Sequence, residues 1–83
     1  MNSSDQTLIS LQVRVARNIR RLRQTRKLTQ EALAFRARLA VRHIQKLEAG
    51  EVNITLKTLL RLATALDADP SQLLARNETS DDT

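Results

Sequence analysis

Residues 28–59 read LTQEALAFRARLAVRHIQKLEAGEVNITLKTL, and this stretch decides the fold. Apolar residues recur in it at three- and four-residue intervals, which is typical of helices with one buried face. Thr29 can cap a helix over residues 30–37, and Gly50 stands just past a second helix over about 41–48, where a left-handed residue is favoured. The stretch therefore predicts two short helices joined by a tight connection around residues 38–40. The positions predicted to face inward are Leu33, Ala34, Ala37, Ile44 and Leu47.

Helical patterns also flank this pair. Upstream, residues 8 to about 26 or 27 carry an apolar stripe formed by Leu8, Leu11, Val15, Ile19 and Leu22. Downstream, Thr55 can cap a fourth helix, whose stripe is Leu56, Leu59, Leu62, Ala63 and Leu66. Residues 69–72, DPSQ, combine a capping-box pattern with proline at the first helical position, and predict a short fifth helix through Leu73 and Leu74. No segment alternates as a strand does, so we expect an all-α domain of five helices.

The chain has 83 residues, which is enough for one domain with a modest core. Residues 1–7 are polar, and we expect a flexible N-terminal segment there that is weakly helical at most. Residues 8–76 form the predicted folded domain. Residues 77–83 are polar and acidic without apolar anchors, which predicts a disordered tail.

Composition argues against several kinds of site. The chain has no cysteine, so disulfides and cysteine-based zinc sites are excluded. His43 is the single histidine, and we therefore expect no metal ligand there and no catalytic constellation, hence no enzyme. Apolar runs are short and no charged-then-apolar leader opens the chain, which predicts a protein of the cytoplasm without a membrane partner.

Positive charge is concentrated in the predicted helices. Residues 1–61 contain 13 Lys or Arg and four acids, whereas residues 62–83 contain one Arg and five acids. The formal net charge of +5 thus combines a strongly basic body with an acidic end. A compact basic domain favours a polyanionic partner. The alternative is that the arginines only keep the protein in solution.

Many positions in one register match the common pattern of a regulator family: Leu28-Thr29-Gln30, Leu33-Ala34, Ile44, Leu47-Glu48, Gly50, Asn53 and Leu56. Over residues 15 to 74 the chain resembles the Xre/Cro-like helix-turn-helix family of bacterial and phage transcriptional regulators. The resemblance implies a compact five-helix, lambda-repressor-like domain. It also implies a homodimer that binds double-stranded DNA, and we expect the protein at the nucleoid. Because the sequence predicts no second domain that could bind an effector, we expect no cofactor or small-molecule ligand. Residues 53–57, NITLK, resemble controller proteins of restriction–modification systems.

The second helix of the pair carries the predicted base contacts, because in a helix-turn-helix this helix enters the major groove while the first crosses the backbone. Its outward face offers side chains suited to base edges: Val41, Arg42, Gln45 and Lys46. The resemblance implies that Val41, Arg42 and Lys46 point at bases. It places Thr29, Gln30 and His43 at phosphates. The alternatives are that Arg42 and Lys46 are ordinary solvated cations and that Gln30 mainly starts its helix.

Arg23 and Glu48 match an ion pair of related repressors, which implies a contact that fixes the angle of the recognition helix. The alternative is two surface charges without contact. Phe35 occupies a position that is usually polar in the family. We expect it to be covered by the residues before the first helix rather than used for base stacking.

Three residues depart from the family pattern. Arg38 stands where the turn commonly has glycine, so a left-handed conformation there would be strained. Ala40 replaces the usual Ser or Thr cap and provides no capping oxygen. Ile54 stands where proline is common. The first two departures put the geometry of the turn in question, but not the fold.

A single short recognition helix gives poor specificity, so we expect a two-fold dimer on palindromic operators. The apolar residues predicted for its interface are Leu56, Leu60, Pro70 and Leu74. We thus predict a sequence-specific, autoregulatory transcriptional regulator. One alternative is a DNA-binding antitoxin whose acidic tail folds onto a toxin, although the tail lacks apolar anchors. The other alternative is a protein-interaction module or an enzyme. A DNA shift assay separates this alternative from the regulator and the antitoxin, which both bind DNA.

Overall fold

The computed structural model describes residues 3–76, which form five helices. These are α1 (Ser3–Thr25), α2 (Gln30–Ala37), α3 (Val41–Glu48), α4 (Leu56–Ala65) and α5 (Pro70–Leu74). No strand occurs within residues 3–76, and the predicted all-α class with five helices is confirmed. The predicted acidic tail over residues 77–83 lies outside the described residues.

One hydrophobic core lies between the helices. The buried side chains come from every helix: Val15, Ile19, Leu22, Leu33, Ala34, Ala37, Ile44, Leu47, Leu59, Leu62, Ala63, Leu66 and Leu73. All inward positions predicted for α2 and α3 are among them. The apolar stripes of α1 and α4 extend past the core towards the N-terminal ends of these helices, since Leu8 is 41% exposed and Leu56 is 82% exposed. Periodicity therefore located the buried faces but not where each face stops being covered.

Helix α1 begins at Ser3, five residues before the predicted start at Leu8. Residues 3–7 are helical within the segment that we expected to be flexible. Serine and aspartate suit the first turn of a helix, but they carry no apolar periodicity, so the sequence pattern could not extend the helix this far.

Side chains of α1 and of Arg26, the residue that follows it, cap the C-terminal ends of three other helices. The Asn18 amide donates hydrogen bonds of 2.9 Å to two carbonyls at the end of α5. Arg20 donates to the last carbonyl of α3 at 3.1 Å. Arg26 donates to two carbonyls just past α4, at 2.8 and 3.1 Å. Carbonyls at a helix end have no partner within the helix and sit at its negative pole, so amide and guanidinium donors satisfy them.

The geometry of the connection between α2 and α3, which the sequence left open, includes a left-handed residue. Arg38 adopts the left-handed conformation, with φ 60° and ψ 45°. Lys27 and Asp67 also have positive φ, and Gly50, with φ 75°, occupies the predicted position past α3. Ala40 precedes α3 in extended conformation and makes no side-chain cap. Neither Arg38 nor Ala40 is therefore the residue type that its conformation favours.

Candidate nucleic-acid interface

Helix α3 is anchored on one side and open on the other. Ile44 and Leu47 are 0% and 3% exposed and hold the helix against the core. Arg42, Gln45 and Lys46 are exposed. Arg42 and Lys46 are four residues apart and hence on neighbouring turns of one face. The helix thus presents a row of long hydrogen-bonding side chains to solvent.

Val41 differs from the other predicted base contacts. Its side chain is half-buried and packs against the core. It stands at the first position of α3, immediately after Ala40. The part of Val41 that stays accessible is apolar, as a contact with a thymine methyl group requires.

The predicted phosphate contacts lie near the starts of α2 and α3. The Thr29 hydroxyl oxygen accepts a hydrogen bond of 3.0 Å from the Ala32 N–H and caps α2. The Gln30 amide nitrogen donates to Oε1 of Glu48 at 3.1 Å. His43 is half-buried on α3. Thr29 keeps its hydroxyl hydrogen, and Gln30 keeps its second amide hydrogen, as donors for an anion.

Arg23 and Glu48 form a two-point ion pair. Nε of Arg23 lies 2.6 Å from Oε2 of Glu48, and Nη2 lies 3.0 Å from Oε1. Nη1 of Arg23 also donates to the Leu28 carbonyl at 2.9 Å. The Glu48 side chain is 5% exposed, and the hydrogen bond with it raises the pKa of Arg23 above its ordinary value. The pair ties the last residue of α3 to α1, and its fork geometry restricts the rotation of α3.

Gln30 also contacts the Arg23–Glu48 pair, and the sequence did not predict this contact. Its bond to Glu48 joins the first residue of α2 to the last residue of α3. The spacing of 18 residues carries no local signal, because the contact depends on how α2 and α3 cross. Three elements therefore meet at one carboxylate.

The residues predicted for dimerisation divide between two surroundings. Leu56 lines an apolar groove that also contains Leu8, Leu11, Ile54 and Leu74. Leu60, which is 56% exposed, instead adjoins the three arginines Arg36, Arg38 and Arg61. Leu74 is 39% exposed, and Pro70 is half-buried at the start of α5. The structure thus brings Leu56 and Leu74 to one groove and leaves Leu60 outside it.

Phe35 is 86% exposed, so the expectation that it is covered was wrong. Helix α2 buries Leu33, Ala34 and Ala37. Phe35 lies on the opposite side of the helix, where the helical period of 3.6 residues places it.

None of the helices described in residues 3–76 is both long and apolar enough to cross a membrane.

Comparisons with known proteins agree with this geometry. The sequence model of the family HTH_3, Helix-turn-helix, matches residues 19–73. The control protein C.SmaI of Serratia marcescens is 36% identical over 76 residues, which are 92% of this chain and 90% of that protein. The crystal structure of the restriction-modification controller protein C.AhdI from Aeromonas hydrophila superposes with a TM-score of 0.73 at 39% identity, covering 75% of this chain and 94% of the other. The crystal structure of the hypothetical transcription factor NHTF from Neisseria superposes with a TM-score of 0.80 at 28% identity, covering 87% of this chain and 83% of the other.

Proposed function

The chain belongs to the helix-turn-helix family HTH_3, and on this premise we propose that it is a controller-type transcriptional regulator that binds palindromic operator DNA as a homodimer. The observation that carries the proposal is the exposed row of Arg42, Gln45 and Lys46 on α3. The Arg23–Glu48 pair holds this helix at a fixed angle to the body. A rigid helix with exposed donors is what base recognition in the major groove needs.

Each exposed residue of α3 has a distinct task in this proposal. Arg42 can donate two hydrogen bonds to O6 and N7 of a guanine, and the Val41 methyl groups can meet a thymine methyl. Gln45 and Lys46 reach the neighbouring base edges. Phosphates on either side are held by Thr29, Gln30 and His43, which fix the register without reading sequence.

Dimerisation supplies the second half of the operator contact. Leu56, Leu60, Pro70 and Leu74 present apolar surface that a second copy would cover. A two-fold dimer sets two α3 helices in successive major grooves, about 10 base pairs apart. Because the binding form is a dimer, its amount rises steeply with protein concentration. Such a regulator can control its own gene in the cytoplasm by sensing how much of it has accumulated.

A binding assay on the DNA upstream of its own gene tests this function. Footprinting locates the site, and titration at several salt concentrations measures the affinity. We expect protection of two half-sites and a log–log salt slope of roughly −5 to −9, since each neutralised phosphate contributes about −0.9. A chain shortened to residues 1–76 is the control and is expected to bind nearly as well. No protection at any salt concentration, or a slope near zero, contradicts the proposal.

A further inference from the structure

Arg20 lies beside α2 and α3, although the sequence assigned it no role in binding. It is exposed on α1, one turn before Arg23. Its Nη2 donates a hydrogen bond of 3.1 Å to the carbonyl of Glu48, at the end of α3. A shallow concavity there is lined by Arg20, Arg23, Gln30, Gln45, Glu48 and Ala49. Arg20 therefore shares a surface with a predicted phosphate contact and a predicted base contact.

The positive charge of Arg20 is not neutralised by Glu48, the acidic residue of this concavity. The Glu48 carboxylate is engaged at both oxygens by Arg23, and Oε1 also accepts from Gln30. Among residues 3–76 the ion pair of Glu48 is with Arg23, and the contact of Arg20 with Glu48 is to the neutral carbonyl. A guanidinium has five N–H donors in a planar fork, and the carbonyl uses one of them. The positive charge of Arg20 is thus available to an anion.

We propose that Arg20 binds a phosphate group of the DNA backbone in this concavity, next to Gln30. The proposal rests on the DNA-binding function argued above and adds a contact from α1 to those of α2 and α3. Guanidinium groups bind phosphate oxygens through two parallel N–H groups, which fits an arginine that is anchored at one nitrogen only. Since the same side chain holds the end of α3, the phosphate contact also fixes the recognition helix relative to the backbone.

The salt dependence of operator binding separates this role from helix capping. The variant Arg20→Gln removes the charge and keeps an amide donor on a shorter side chain. We expect the magnitude of the log–log salt slope to fall by about 0.9 for each bound copy. Affinity for all operator sequences falls by a similar factor, since a phosphate contact reads no bases. The control is Arg21→Gln, the exposed arginine next along α1, which leaves the slope unchanged.

An unchanged slope for Arg20→Gln, even with a lower melting temperature, overturns the proposal, because capping alone then accounts for Arg20. An equal fall for Arg21→Gln overturns it as well, since the effect then reflects net charge. If the unaltered protein binds no operator, the proposed function itself fails first.

Operator DNA with neutral methylphosphonates at single backbone positions gives an independent test. We expect the replacement to weaken binding of the unaltered protein at several positions. At one of these in each half-site, the replacement should no longer weaken binding of Arg20→Gln. Positions contacted by other residues stay sensitive in both proteins. The absence of any position whose effect depends on Arg20 contradicts the phosphate contact.

Discussion

The face that carries the predicted DNA contacts and the face that carries the exposed leucines are built differently. On the first, Arg23, Gln30 and Glu48 fix α3 through hydrogen bonds of 2.6 to 3.1 Å within one chain. On the second, Leu56 and Leu74 stand exposed around an apolar groove. Polar contacts of fixed geometry can orient a helix in the monomer. Exposed apolar surface gains its stabilisation only when a partner covers it.

A second contrast lies within the apolar face. Leu56 and Leu60 are one helical turn apart on α4, but Leu56 adjoins apolar side chains while Leu60 adjoins arginines. Burying Leu60 at a two-fold interface brings the arginines of both copies together, which costs free energy through like-charge repulsion. If these residues form the proposed interface, we therefore expect Leu56 to stabilise the dimer more than Leu60.

The largest expected effect follows from this contrast. In Leu56→Asp, each copy loses the burial of a leucine, about 1.5–3 kcal/mol, so the dissociation constant of the dimer rises by roughly a hundredfold or more. The matched variant Leu60→Asp raises it by less. Sedimentation equilibrium across the micromolar range measures both. A monomer mass for the unaltered protein throughout that range, or a greater effect of Leu60→Asp, breaks the comparison.

Removing the Arg23–Glu48 ion pair tests how much the polar face contributes to stability. Arg23→Leu leaves the Glu48 carboxylate buried without its cation, and we expect the free energy of unfolding to fall by about 3 kcal/mol. The double variant Arg23→Leu/Glu48→Leu should recover most of this loss, since it removes both charges together. Urea unfolding measures the two differences. Equal losses in the single and the double variant would mean that packing, not charge pairing, holds α3.

The smallest of these effects concerns the turn that joins α2 and α3. Arg38 has φ 60°, and glycine adopts this conformation without the steric cost of a side chain. We expect Arg38→Gly to raise the free energy of unfolding by about 1 kcal/mol at most, because the greater freedom of glycine in the unfolded chain offsets part of the gain. Arg36→Gly, within helix α2, is the control and should destabilise instead. A loss of stability in Arg38→Gly would show that the Arg38 side chain makes a needed contact.

Local chemistry explains which parts of the fold could be predicted. The bounds of α2 and α3 follow from Thr29 and Gly50 together with apolar spacing, and the capping box at residues 69–72 fixes the start of α5. The start of α1 could not be predicted, because its polar first turns make no periodic pattern. The exposure of Leu8 could not be predicted either, since periodicity does not say how far the core extends along a helix.

The candidate site was predictable only where a motif marks it. The register of the pattern indicated α3 and the pairing of Arg23 with Glu48. The bond from Gln30 to Glu48 and the capping by Arg20 depend on the crossing of helices that are distant in sequence. Arginine on the polar side of α1 looks the same in the sequence whether it caps a helix, binds a phosphate or faces solvent.

Selection of binding sites from randomised operators most directly tests the claim that α3 reads the DNA. The unaltered protein should select two half-sites about 10 base pairs apart, centre to centre. Arg42→Ala should cost about 1–3 kcal/mol of binding free energy and relax the preference at one base pair in each half-site. Gln30→Ala should weaken binding to all sequences by a similar factor and leave the preferred site unchanged. If Arg42→Ala selects the same site as the unaltered protein at every position, α3 does not read bases through Arg42 and the account is contradicted.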